Sequence, residues 1–502
     1  MTRLAGHTAL LALCALISWP ANAEVQRLEL ISVAPGYGFS PSISDDGRFV
    51  AFGTGYETYV RDRVLGTSVR VSSDRWDRSF SISGDGRYVV FISDLNLTGE
   101  GYLAGSVWVR DLSSGHIELA SVGVLAEYPD AWDAAISRDG RYVLFVSAKP
   151  FVANDVNQGP DVYLRDRALG TTEVISLDMA GQPAGYSEGS LSFSDDGRYV
   201  AFTSYSHELV NQPTENGGVY VRDRLLGTTE LVSVNWDGKS VGAYGGTISR
   251  DGRFVAFLSP FWNMVQRDTN RATDVFVRDR QAHVTTRVSV TSTGLQANGP
   301  SSGPSLSTDG RLVAFISRAS NLMPGVPVGD DGIFVHDRAT GQTEFITWND
   351  PRKGAAGAAI TPDGDTLVLN TAKALVTADH DREQDVYVAE LAATGAAYDF
   401  TLKPASLDFG DTALGSVATR NFWLRNRGTT ALPLLRVFLR SGELAVFGVS
   451  HACGEVIAAG TGCAITVTFT PTATGTSTTK LVVAAGNRQV REREIFGTGV
   501  QP

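Results

Sequence analysis

The chain has 502 residues, a formal net charge of −11 and a hydrophobic content of 43%. That apolar content supports several packed cores and excludes a disordered chain, while the excess acid argues against nucleic acid and anionic lipid as partners. Beyond the N-terminus no stretch approaches the ~20 apolar residues that a membrane span needs, so membrane insertion is not expected.

Residues 1–23 hold a single Arg, an apolar run over 9–17 and the small-x-small triplet Ala21-Asn22-Ala23. This pattern predicts a secretory signal peptide cleaved before Glu24, and a periplasmic or extracellular location. Cys14 lies within that leader, and the remaining cysteines, Cys453 and Cys463, are expected to form a disulfide in an oxidising compartment.

From residue 24 to 391 one unit repeats. Asp-Gly-Arg, or Asp-Gly-Asp once, begins at Asp46, Asp85, Asp139, Asp196, Asp251, Asp309 and Asp363, at spacings of 39 to 58 residues. Each unit predicts four short strands. The first ends at the Asp-Gly pair, a hairpin signal because Gly supplies a positive φ. The second is an apolar run such as Tyr199-Val200-Ala201-Phe202 and the third a run such as Val219-Tyr220-Val221-Arg222-Asp223-Arg224. The fourth resembles Thr228-Thr229-Glu230-Leu231, and helical periodicity is missing from every long stretch. Repetition of this length predicts a β-propeller of seven four-stranded blades. The seventh unit stops after Val386-Tyr387-Val388 without a fourth strand, whereas Leu28-Glu29-Leu30-Ile31 supplies a spare one at the other end. The N-terminal strand is therefore expected to close the ring, which removes an open sheet edge.

The Ser-x-Asp-Gly turn, the apolar second strand and the Val-Tyr-Val third strand resemble the TolB-type (WD40-like) propeller repeat over about residues 27–391. The α/β domain that precedes the TolB propeller has no counterpart before residue 28, so the resemblance implies the propeller fold and not a Tol–Pal role.

Small residues over 392–398 predict a linker. From 399 to 502 alternating segments, among them Leu407-Asp408-Phe409-Gly410 and Ala464-Ile465-Thr466-Val467, predict an immunoglobulin-like β-sandwich. The Leu407-Asp408-Phe409-Gly410 run, the Asn426-x-Gly428 turn, the cysteine pair and Phe469-x-Pro471 resemble the choice-of-anchor D family of bacterial Ig-like domains. The sequence ends at Pro502 without an anchor, which fits a soluble exported protein.

Signals for catalysis are few. Gly185-Tyr186-Ser187-Glu188-Gly189 matches GxSxG, but no strand–helix elbow is predicted around it. The recurring Asp-Gly and Arg-Asp-Arg residues read as blade structure, since a site rarely needs seven copies. Three loops before third strands carry alternate oxygen side chains: Asp155, Asn157 and Asp161; Asp268, Asn270 and Asp274; Asp379, Asp381 and Asp385. They suit a hard cation such as calcium, or else simple Asx turns.

The loops between blades, and those between second and third strands, share one face and vary in sequence. Aromatic residues gather in the inter-blade loops: Trp76, Tyr128, Trp132, Tyr186, Trp236, Tyr244 and Trp348. Rigid rings with polar neighbours around a funnel suit a ligand, though they also suit capping of blade interfaces. The expectation is a non-catalytic binding or scaffold protein presenting this face to a glycan, peptide or protein. The competing reading is a polysaccharide-active lyase or hydrolase with its site in the funnel.

Overall fold

A computed structural model describes residues 25–32, 39–54, 57–71, 78–99, 102–123, 129–157, 159–211, 216–323, 329–349, 357–376, 379, 383–391, 400–427, 432–442, 444–454, 456–485 and 489–501. The leader and the linker over 392–398 lie outside the described residues.

Each Ser-x-Asp-Gly segment folds alike, as the first one shows. The Ser44 hydroxyl donates to Asp46 at 2.6 Å, the same carboxylate accepts the Arg48 N–H at 3.0 Å, and Ser44 Oγ accepts the Phe49 N–H at 2.9 Å. Gly47 follows Asp46 at a φ of 67°, where a Cβ would be strained. The same Ser/Thr-to-Asp bond recurs at Ser83, Ser137, Ser194, Ser249, Ser307 and Thr361. The Arg after the turn then reaches the Asp that ends the third strand, as Arg48 reaches Asp62 at 3.0 and 2.6 Å. Arg141–Asp166, Arg198–Asp223, Arg253–Asp279 and Arg311–Asp337 repeat that fork.

The hairpins assemble into seven four-stranded antiparallel sheets in the propeller region. Their first strands are Phe39–Ile43, Arg78–Ile82, Ala131–Ile136, Ser187–Phe193, Tyr244–Ile248, Ser301–Leu306 and Gly357–Ile360. Each contacts the next and the seventh contacts the first, so these strands are innermost and encircle one axis. The fold is a seven-bladed β-propeller. In the seventh blade Gly357–Ile360, Thr366–Thr371 and Asp385–Leu391 are completed by Val25–Leu30, with Leu28 opposite Ala389 and Leu30 opposite Tyr387. The N-terminal strand thus closes the ring, as the strand count predicted. Arg63 of the first blade fastens the seam by pairing with Glu29 at 2.9 Å and Glu390 at 3.2 Å.

Second and third strands pack against sheets on both sides, and their side chains are buried accordingly: Val143, Leu144, Phe145 and Val146 are all inaccessible to solvent. The last Arg of the third-strand motif works between blades. Arg224 pairs with Glu173 of the preceding blade at 2.6 Å and stacks 4.6 Å above its Tyr142 ring. Arg167, over Tyr88 and paired with Glu118, and Arg280, over Tyr199 and paired with Glu230, do the same, while Arg338 stacks over Phe254 and bonds the Gly310 carbonyl.

The C-terminal region is a β-sandwich. Phe400–Lys403, Ala418–Asn426, Gly462–Phe469 and Phe447–His451 form one sheet. Ser406–Ala413, Gln489–Val500, Gly475–Ala485, Leu432–Gly442 and Val456–Ile457 form the other. Phe422, Leu424, Ile465, Phe469, Leu481 and Ile495 are fully buried in the shared core. Cys453 and Cys463 are joined by a disulfide across a Cα–Cα distance of 5.2 Å. Among the described residues no helix is long and apolar enough to cross a membrane.

Candidate functional site

The axis of the propeller has two unlike ends. At the end carrying the Asp-Gly turns, the residue between Ser/Thr and Asp differs in each blade: Asp45, Gly84, Arg138, Asp195, Arg250, Thr308 and Pro362. Backbone bonds hold parts of this ring together, Asp45 N–H to the Gly84 carbonyl and Gly84 N–H to the Arg138 carbonyl, both at 2.9 Å. Four of the side chains form an alternating ionic knot. Arg138 pairs with Asp45 and, at 3.0 Å, with Asp195, while Arg250 pairs with Asp45 and, at 3.5 Å, with Asp195. A Cβ on Gly84 would collide with both Asp45 and Arg138, so only glycine lets that pair cross. Beneath the knot a cavity of about 260 Å³ is lined by Ile43, Ile82, Ile136, Phe193, Ile248, Leu306 and Ile360, one from each blade.

At the opposite end, the mouth, three blades bring aromatic rings together. The Trp132 indole N–H, at the entry to the third blade's inner strand, donates to the Glu188 carbonyl of the fourth blade at 3.2 Å. Tyr205 donates its backbone N–H to the Tyr186 carbonyl at 2.9 Å. Partial burial, and next the adjacent Glu188 carboxylate, push the Tyr205 phenol pKa up, and the nearby Tyr244 phenol adds to this. Trp132, Tyr186, Tyr205 and Tyr244 remain 39, 66, 41 and 40% exposed, so these rings present area to solvent.

A polar clamp sets this arrangement. Asp133 accepts the Ser79 hydroxyl of the second blade at 2.9 Å and the Ser190 N–H of the fourth at 2.8 Å. Loss of solvent around it pushes the Asp133 carboxyl up. A Cβ on Gly189 would come within 2.6 Å of that carboxylate, which explains the glycine between Glu188 and Ser190. Ser79, Asp130, Tyr186 and Ser190 all have positive φ, four of the seven non-glycine residues so described. Strained backbone of this kind, held in place by its surroundings, is concentrated where a chain must aim particular side chains.

The other aromatics read from the sequence are placed differently. Trp236 tips a turn closed by the Asn235 N–H to Lys239 carbonyl bond, and its neighbour Val234 is bonded to Thr285 of the next blade's outermost strand at 2.9 Å. Trp236 therefore stands at the outer rim, away from the axis. Trp348 lies within the strand Gln342–Asn349 opposite Gly332, with its side chain outside the described residues, as are Trp76 and Tyr128. Tyr205 and Glu188 were not singled out from the sequence. Tyr205 extends a second strand into the loop class that shares this face, which was the available signal.

Most carboxylates of the acidic loops have partners within the chain, although Asp268 Oδ1 and Asp379 Oδ1 are buried without a hydrogen bond. Asp161 accepts the Asn157 amide at 2.7 Å, the Ser176 hydroxyl at 2.6 Å and the Gly185 N–H at 3.0 Å, while Asp155 accepts the Tyr163 hydroxyl. Asn270 likewise turns its amide nitrogen to Asp274 at 2.9 Å, and Arg287 lies against Asp268 and Asp274 at 3.3 and 3.1 Å. Asp379 accepts the Tyr387 hydroxyl and Asp385 the Ser32 hydroxyl; Asp381 lies outside the described residues. At the first two loops amide nitrogens and a guanidinium stand where a cation would need oxygens, which does not suit calcium, and no group of three or more His, Cys, Asp or Glu that could hold a metal ion occurs among the described residues. These carboxylates instead tie third strands to the loops beside them. Ser187 of the GxSxG match is buried at the start of a strand, with no helix after it.

Residues 393–493 match the family model described as abnormal spindle-like microcephaly-associated, ASPM–SPD-2–Hydin (ASH), in agreement with the C-terminal sandwich. No curated protein matches the chain. Solved structures similar to it include a TolB from Agrobacterium tumefaciens, at 15% identity, a TM-score of 0.38 and coverage of 64% of this chain and 94% of that one. An oligogalacturonate lyase in complex with manganese is 14% identical, with a TM-score of 0.47 and coverage of 71 and 89%. The β-propeller domain of the Trilobed protease from Pyrococcus furiosus is 14% identical, with a TM-score of 0.45 and coverage of 70 and 92%. At such identities and scores the assignment of the fold rests on the strand pairing itself.

Proposed function

We propose that the protein is an exported, non-catalytic binding protein that takes a peptide, protein segment or glycan at the propeller mouth. The observation that carries this reading is that Trp132, Tyr186, Tyr205 and Tyr244 stay exposed on neighbouring loops of three blades, with Trp132 bonded to the Glu188 carbonyl and Tyr205 beside the Glu188 carboxylate. Ring faces that stay exposed beside a fixed carboxylate provide stacking area and orientation together. The enzymatic alternative needs a free carboxylate pair, whereas the Asp133 oxygens are already held by Ser79 and Ser190. We also propose that residues 1–23 are removed as a leader, that 24–391 and 399–502 are separate domains, and that the second is of the choice-of-anchor D type. A periplasmic or extracellular site then follows, and the disulfide suits it.

The test is a glycan and peptide array probed with the mature protein. Tyr186→Ala combined with Tyr244→Ala should abolish the array signal and leave the melting temperature nearly unchanged, whereas Arg222→Ala should lower stability and spare binding. Retention of the signal in the aromatic variant, or its unfolding, would remove the mouth as the binding face. N-terminal sequencing of exported protein should begin at Glu24.

A further inference from the structure

We infer that the mouth cluster is a cage for an alkylammonium cation, held over Glu188 by the faces of Trp132, Tyr186, Tyr205 and Tyr244. The inference rests on the mouth being the binding face and names the chemistry it selects.

The propeller itself shows how this chain handles a cation beside a ring. At the turn end nearly every blade stacks an Arg on an aromatic ring, from Arg224 over Tyr142 at 4.6 Å to Arg167 over Tyr88 at 4.3 Å, and the Arg is also paired with a carboxylate. Each such unit has three parts, a ring, a carboxylate and a cation. The mouth supplies the first two without the third. Among the described residues no Arg lies over Trp132, Tyr186, Tyr205 or Tyr244, and Glu188 has no ion pair. Glu188 is exposed, its backbone carbonyl accepts the Trp132 indole N–H, and its carboxylate lies beside the Tyr205 phenol. The aromatic ring face is electronegative, so a cation placed over several such faces is attracted by them as well as by the Glu188 carboxylate. An acidic protein surface, net −11 over the chain, draws the same class of ligand by long-range attraction. A neutral sugar would stack on the rings but leave the Glu188 charge unanswered.

The test compares choline with its neutral carbon isostere, 3,3-dimethylbutan-1-ol, and with an N-acetyl-lysinamide and its trimethylated form. Titrations follow the tryptophan indole resonances of the mature protein. Choline or a lysine derivative should shift the Trp132 indole signal and bind at least about tenfold more tightly than the isostere. Glu188→Gln and Tyr205→Leu should each weaken the cation about tenfold with melting temperatures preserved, and Trp236→Leu at the rim should change nothing. Preference for the lysine derivatives places the cation on a peptide, and preference for choline places it on a small molecule or headgroup. Equal binding of the isostere, indifference to Glu188→Gln, or no cation binding at high millimolar concentration overturns the cage. If an array ligand then still depends on Tyr186 and Tyr244, the mouth remains the binding face and only the cationic specificity fails.

Discussion

The two ends of the propeller use the same residue types for opposite purposes. At the turn end every ring described has an Arg above it, most of these Arg also find a carboxylate, and the pattern repeats from blade to blade. At the mouth, rings and a carboxylate stand without a cation, and they come from three blades whose loops have little sequence in common. Residues that repeat in all blades answer one another within the chain. Residues that occur once, exposed and incomplete, leave room for something outside it.

Arg250→Ala tests the turn end most severely. It leaves Asp45 and Asp195 with Arg138 as their shared partner, and opening a largely buried pair costs about 3 kcal/mol, read as a melting point lowered by several degrees. Ligand binding at the mouth should not change; a binding loss without a stability loss would erase the division between the ends.

His336 offers a test by pH. It stands where the first five third-strand motifs have Arg, is buried, and its Nδ1 lies 2.9 Å from the Thr343 hydroxyl. Burial pushes its pKa from 6.5 down to about 4. The unfolded chain therefore takes up the proton first, so no penalty exists above about pH 6.5 and stability falls between there and about pH 4. His336→Gln should remove part of that acid-side loss in urea titrations at neutral and mildly acid pH. Parallel losses in both proteins would show that the ring is not responsible.

Gly84→Ala, forcing a Cβ into the Asp45–Arg138 pair, should cost roughly 1–3 kcal/mol in chemical unfolding. Arg224→Ala should cost about 1 kcal/mol by removing the wedge between Glu173 and Tyr142. Smallest of all, Tyr186→Ala should change stability by no more than about 0.5 kcal/mol, since its ring is 66% exposed, while weakening any mouth ligand. A large stability loss there would make the mouth rings part of the scaffold.

The blades were legible because their determinants are local: a Ser, an Asp two residues on and a Gly fix each hairpin without reference to the rest of the chain. Closure was legible by counting fourth strands, and the disulfide by compartment. The ionic knot was not, because Asp45, Arg138, Asp195 and Arg250 occupy the one variable position of the repeat and gain meaning only around an axis. Trp132, Tyr186 and Tyr244 could be assigned to the mouth loops from their place in the repeat, but Trp236 could not be separated from them, since radial position depends on the turn at 235–239. At the first two acidic loops the sequence shows oxygen atoms at alternate positions, but not the Asn157 amide and the Arg287 guanidinium that lie against the carboxylates.

Ring closure also has a consequence in time. Val25–Leu30 is synthesised before any blade, yet its partner is Asp385–Leu391, and the Ser32 to Asp385 bond joins residues 353 apart. The first strand of the propeller must stay unpaired until nearly the whole repeat array exists, so a chain interrupted anywhere before residue 391 holds two open edges rather than a smaller ring. Closure of the ring is accordingly a late step that pays the entropy of joining distant segments, and partial chains are the species most exposed to aggregation.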